Sequence, residues 1–250
     1  MALRSSAARP RSPRAASPTR TALRLACATA VPLALATARA GGPRVAARGV
    51  AGFAVAALAQ VAFQSAMRRR IGPERLTPAD LLTIERGLCG GLLAGLRVAG
   101  LHDRAGLAGW LGFLAALWGA TASDWLDGPL ARRHGPTRLG GVLDIEADSW
   151  LTLWAAAAAV RWGGLPGWCL AAPLARYAHP TRALLAGRLP VGGGPWWARA
   201  TGSAQMALLL GALAPAGPRP CRRALLAVAV AVGAGQFAAQ LALLRRPVRR

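Results

Sequence analysis

Asp124, Asp127, Asp144, Glu146 and Asp148 are five of the nine carboxylates in this 250-residue chain, and all lie between positions 124 and 148. Asp124 and Asp127 are three apart and project from one face at the end of a helix. Asp144 and Asp148 are four apart and do the same at the start of the next. The sixteen residues between Asp127 and Asp144 form a short connection that folds one helix end back on the other, so the four aspartates converge. Glu146, two positions from each neighbour, faces away and reads as structural. Converging carboxylates repel and neutralise one another unless a cation joins them. Oxygen donors without His or Cys beside them suit a hard ion, Mg²⁺ or Mn²⁺. Four acids can bridge two such ions, an arrangement that holds phosphate oxygens and stabilises attacking and leaving groups. The intervening residues agree with phosphate chemistry. Gly128 lets a ligand approach the backbone, Ala131 keeps the same helix face low, Arg132 supplies a fixed cation, and Gly140 opens the second helix as Gly128 opens the first.

The elements that must position these acids are apolar. Hydrophobic residues make up 54% of the chain and its mean hydropathy is +0.35, too apolar for a soluble domain of this size. The composition gives an all-α, polytopic integral membrane protein. Apolar segments fall at 25–38, 49–67, 81–99, 106–123, 141–160, 164–178, 202–216 and 224–244. They give a six-helix transmembrane core preceded by a two-helix hairpin, although several are shorter than the roughly 20 residues a straight crossing needs. The divisions are a disordered basic tail over 1–24, retained rather than cleaved, and a membrane hairpin with a basic interfacial linker over 25–76. The main membrane domain follows over 77–245 and a basic tail over 246–250. Thr77 or Asp80 caps the first core helix, and Pro78 suits its first turn.

All 31 basic residues are arginines, giving a formal charge of +22. They are scattered singly and in pairs between apolar runs, with no aromatic-interleaved basic face, which excludes a nucleic-acid partner. Anionic headgroups and the positive-inside bias account for them. With the amino terminus inside and eight spans, 21 arginines lie inside and nine outside, and Arg86 falls within a span. That orientation puts the acids on the cytoplasmic side of the cell membrane. Trp110, Trp125, Trp150, Trp162 and Trp168 sit near span ends as interfacial anchors. No two of the four cysteines have metal-ligand spacing, and His102, His134 and His179 are isolated.

The run Asp124-Trp-Leu-Asp127-Gly128-Pro-Leu-Ala131-Arg132, seven further residues, then Gly140-Gly-Val-Leu-Asp144-Ile-Glu-Ala-Asp148 resembles the signature of the CDP-alcohol phosphotransferase family. Around it, "LTPADLLTIERG" is similar to the family's entry to its first core helix, with Thr83 and Arg86 matching and Asp80 where Asn is usual. "WARATGSAQMALLL" is similar to its fifth core helix, with Arg199 where Lys is common and Gln205 in register. The resemblance covers about residues 77–245. It implies a membrane enzyme that displaces CMP from a CDP-linked lipid donor and joins the remaining phosphate to an acceptor hydroxyl in phospholipid biosynthesis. Asp124, Asp127 and Asp144 would bind a pair of Mg²⁺ or Mn²⁺ ions, and Asp148 would be both ligand and general base. Gly128 and Ala131 would border the cytidine, Arg132 and Gly140 would lie at the phosphates, and Thr83 and Arg86 would join that pocket. Arg176, Tyr177, Arg182 and Arg188, with Arg199, are candidates for an anionic acceptor. Membrane lipids and a second copy of the chain, as a homodimer, are the implied partners. Two other readings of the same acids are a cation path in a polytopic transporter and a non-catalytic membrane relative. A cation path would spread its carboxylates over several helices, whereas these are gathered in one stretch.

Overall fold

The computed structural model describes residues 18–72, 74, 76–103, 106–135, 137–187, 196–215 and 218–244. Among them the chain forms helices α1 (Pro18–Ile71), α2 (Pro78–Ala99), α3 (Gly106–Ala122), α4 (Asp124–His134), α5 (Arg138–Ala158), α6 (Ala171–Leu185), α7 (Trp196–Leu213) and α8 (Arg219–Leu244), with no strand. Two of them, over Thr19–Ile71 and Arg219–Leu244, are long and apolar enough to cross a membrane. The 22 residues of α2 and the 21 of α5 rise about 30 Å, close to the thickness of a hydrocarbon core. What lowers their apolar character is the charge they carry: Asp80, Glu85, Arg86 and Arg97 on one, Arg138, Asp144, Glu146 and Asp148 on the other.

α1 begins at Pro18, so residues 18–24, read from sequence as tail, are helical, and Ala22 is fully buried. Its axis breaks at Gly42, whose φ of 80° and ψ of −174° leave the helical region, a conformation that glycine tolerates. Pro43 follows at the first position of the second half, where a missing N–H costs nothing. The chain folds back here. Thr19 Oγ1 and Ser65 Oγ come within 3.2 Å across 46 residues.

α2 is the central element, packed against α1, α5 and α4. Its sequence explains how. Gly87, Gly91 and Gly95 recur every four residues and form one low face. A Cβ on Gly91 would touch Phe53, and one on Gly95 would stand 2.6 Å from the Gly49 carbonyl oxygen, so the second half of α1 approaches backbone to backbone. Small residues at this interval allow such contact between apolar helices. Gly90 lies to the side, and its missing Cβ leaves room for Trp150 and the Leu151 backbone of α5.

Helix ends gather into two sets. At one end, Thr77 caps α2: its hydroxyl accepts from the Asp80 N–H while Asp80 accepts from the Thr77 N–H at 2.7 Å, with Pro78 at the first helical position. Of the two caps the sequence offered, Thr77 is the N-cap, and Asp80 completes a capping box with it. At the other end, His102, Trp110 and Trp162 pack against one another, Trp110 Nε1 donates to the Leu213 carbonyl at 2.8 Å, and Arg222 donates to the Gly163 carbonyl at 3.0 Å. Trp110, expected as an interfacial anchor, is instead a buried packing residue, because its indole N–H has a backbone acceptor on α7.

The helix expected to end on Asp124 and Asp127 stops at Ala122, and the two acids open the separate short helix α4. Ser123 marks the break, its hydroxyl donating back to the Ala120 carbonyl at 2.7 Å, a bond that bends helices. The sixteen-residue connection shrinks accordingly. α4 and α5 are separated only by residues 135–137, with Gly135 at φ 84°.

Candidate functional site

α2 and α5 run parallel, and their first turns are tied together. Thr137 is the N-cap of α5, its hydroxyl accepting from the Gly140 N–H at 2.8 Å. The same hydroxyl donates to Asp80 Oδ1 at 2.9 Å. Glu74 Oε2 accepts from the Leu139 N–H, also at 2.9 Å, so two carboxylates from the start of α2 occupy the amide-rich end of α5, where negative charge is favoured. Asp80 is only 3% exposed. A Cβ on Gly140 would stand 2.1 Å from Asp80 Oδ1 and 2.7 Å from Thr137 Oγ1, so the absence of a side chain at 140 permits this close approach.

The tie fixes the register of what lies one to two turns deeper. Arg86 is six residues beyond Asp80, about 9 Å along the axis, and Asp144 and Asp148 lie at the matching depth on α5. Arg86 Nη1 donates to Asp144 Oδ1 and to Asp148 Oδ1, each at 2.9 Å. The two carboxylate oxygens are therefore within twice that distance of each other. Arg86 is 1% exposed, while the Asp144 and Asp148 side chains are 46% and 36% exposed. A buried guanidinium cannot shed its charge and is tolerated where acids neutralise it. The two aspartates, like-charged neighbours at i and i+4, would otherwise repel. On the outer side, both remain partly exposed. Glu146 points away from them and is buried, as its position between the two required.

The other residues singled out in the sequence divide into three groups. Thr83 is buried one turn before Arg86, and its hydroxyl donates to the Ala79 carbonyl at 3.1 Å. Arg132 is exposed in the last turn of α4. Arg176 is half-buried on α6, its Nη1 3.4 Å from where a Cβ on Gly202 would stand, and Arg182 donates to the Leu244 carbonyl at the end of α8. The side chains of Asp124, Asp127, Gly128, Ala131 and Arg199, and the whole of Arg188, lie outside the described residues. The backbone of Asp124 and Asp127 is described: it forms the first turn of α4, which packs on α2 and α3. Sequence reasoning passed over Thr137 and Glu74. The Pro-Thr pair two positions ahead of an apolar run that starts at Leu139 is a capping signal that marks the first of them; nothing local marks the second.

Among the described residues no group of three His, Cys, Asp or Glu side chains is placed to hold a metal ion. The described pair nonetheless fits the oxygen-only donor set of a hard divalent cation: two carboxylates one helical turn apart, converged on one point and partly exposed.

An all-helical chain with membrane-length apolar helices and a converged carboxylate pair beside a buried arginine defines a helical membrane protein with a polar, anion-lined site. The family model for CDP-alcohol phosphatidyltransferase matches residues 76–235, and the chain belongs to that family. The match starts one residue before the N-cap of α2 and ends within α8, leaving α1 outside it. No curated protein and no solved structure matches the chain. Family membership makes the protein a transferase of substituted phosphate groups that moves a phospho-alcohol from a CDP-linked donor to a hydroxyl acceptor.

Proposed function

We propose that the chain is a multi-pass membrane phosphotransferase that moves a phosphatidyl or related phospho-alcohol group from a CDP-linked lipid to an alcohol in phospholipid biosynthesis, with its site facing the cytoplasm. The reading takes α2 to α8 as a six-helix core, α3 and α4 together making one crossing, and the folded-back α1 as an amino-terminal membrane hairpin. The observation that carries it is the convergence of Asp144 and Asp148 at Arg86, within the segment that matches the family.

In this reading Asp124, Asp127, Asp144 and Asp148 hold Mg²⁺ or Mn²⁺, two ions in the full site. Bound there, the ions would neutralise charge on the donor's phosphate oxygens. The chain's own groups do the rest. Gly128 and Ala131 border the cytidine, Arg132 pairs with a phosphate from the end of α4, and Gly140, Thr83 and Arg86 form the wall on the α2–α5 side. The acceptor oxygen attacks the phosphorus that bears the lipid, the bond from that phosphorus to the CMP oxygen breaks, and CMP leaves. The hydroxyl proton passes to Asp148, which is partly exposed and so within reach of an incoming alcohol. Arg176, Arg182 and Arg199 on α6 and α7 are the candidates for holding an anionic acceptor, and a homodimer is the expected assembly.

The test is release of CMP. Purified protein with CDP-diacylglycerol, Mg²⁺ or Mn²⁺ and a panel of alcohols should release CMP with at least one acceptor and not in chelator. Asp148→Asn should lower the rate by a factor of 10² or more, the usual contribution of a positioned base. Absence of release with every acceptor, or an undiminished rate in Asp148→Asn, would overturn the proposal.

A further inference from the structure

Arg86 is the most deeply enclosed cation described in the chain, and its Nη1 reaches both acids. Three facts bear on what it does there. Its charge is permanent at any working pH. Its position is fixed from outside the site, because Asp80, Thr137 and Glu74 lock the register of α2 against α5. And the atoms it engages, Oδ1 of Asp144 and Oδ1 of Asp148, belong to two of the acids assigned above to the cation. A guanidinium and a divalent cation placed on the same two carboxylates repel each other and share one pool of negative charge.

We infer that Arg86 is the resident counter-ion of this site: it holds Asp144 and Asp148 converged when no divalent cation is bound, and it competes with that cation for them. The inference rests on the phosphotransferase reading for the identity of the cation, and it assigns Arg86 to the acids ahead of the nucleotide. It makes Arg86 a positioning residue. Without its charge, two aspartates four residues apart on one helix face repel, and the metal-free protein loses stability. With that charge gone, the cation no longer competes with a guanidinium for the two carboxylates, and it binds more tightly. Arg86 thus trades metal affinity for a preformed site that does not collapse or splay when empty.

The experiment is thermal unfolding of the full chain in detergent, in chelator and across a titration of Mn²⁺ alone, for the unaltered protein, Arg86→Gln and Arg86→Lys. Arg86→Gln should unfold several degrees lower in chelator, show a larger rise in Tm on adding Mn²⁺, and reach half of that rise at a Mn²⁺ concentration at least tenfold lower than the unaltered protein. Arg86→Lys keeps the charge and should lie nearer the unaltered protein in both readouts, which also keeps the test open should the glutamine variant not fold. The inference is overturned if Arg86→Gln needs as much Mn²⁺ as the unaltered protein or more, if Arg86→Lys needs at least tenfold less Mn²⁺ than the unaltered protein, or if Mn²⁺ leaves the Tm of the unaltered protein unchanged. CMP release separates this from the parent proposal. Release with the metal pattern absent sinks the inference alone, whereas the metal pattern without release leaves the cation site standing and sinks the transfer reaction.

Discussion

Gly140 and Gly141 are adjacent glycines with opposite surroundings. A methyl group on Gly140 would meet the Asp80 carboxylate, which its bonds to Thr77 and Thr137 hold in place, whereas one on Gly141 would meet nothing within 4 Å. Gly140→Ala should therefore destabilise the protein by about 1–3 kcal/mol, the usual range for forcing a methylene into a filled site, and Gly141→Ala should leave the Tm unchanged or slightly raised. Unfolding of the two variants in the same detergent checks this, and equal Tm values would refute a packing role for Gly140. At this scale the sequence was legible where spacing alone decides. Asp144 and Asp148 share a face because they are four apart, and Glu146 must turn from it. The pairing of Arg86 with these acids was not legible, since it joins residues 58 and 62 positions apart through a register that local sequence does not encode.

Helix starts are the most local of element features, and that of α2 was read well, whereas those of α1 and α4 were not. Thr77, Pro78 and Asp80 announce α2 in their order alone, and the structure uses all three. The boundary between α3 and α4 escaped because apolar periodicity continues through Ser123 and only the bond from its hydroxyl to Ala120 marks the break. Helix partners were equally hidden, although the glycine interval on α2 signals that some helix must approach closely. Gly95 gives the sharpest test of which one, since a Cβ there would press on the Gly49 carbonyl, Leu33 and Phe53, all in α1. A backbone oxygen cannot swing aside as a side-chain end can. Gly95→Ala should weaken the α1–α2 contact, lowering the Tm by several degrees and speeding proteolysis in α1, with α2 to α8 the slower part to be cut. Unchanged proteolysis would show that α1 is held by other contacts.

Over the whole molecule, contacts sort the helix ends without reference to any membrane. Glu74, Thr77 and Asp80 meet Thr137, Leu139 and Gly140 at one end. His102, Trp110, Trp162, Gly163, Leu213 and Arg222 meet at the other. Arg182 and Leu244, which touch each other, close α6 and α8 at the end from which α2 and α5 start. In the proposed eight-span topology, the segments on the side of the first end hold 21 arginines and those on the other side nine. The hydrogen bonds place the carboxylate site toward the end where α2 and α5 start, which is the arginine-rich end of that topology. Under the proposed topology, positive-inside bias would place that end in the cytoplasm. A reporter inserted at the 135–137 turn should read as cytoplasmic, and reporters at the 100–105 and 164–167 turns should read as lying across the membrane. Replacing Arg68, Arg69 and Arg70 with Gln should weaken that preference, because these three close α1 at the same end. A cytoplasmic signal from the 100–105 turn would invert the site relative to its CDP-linked donor. Orientation by arginine count would then fail even though every interhelical contact stood.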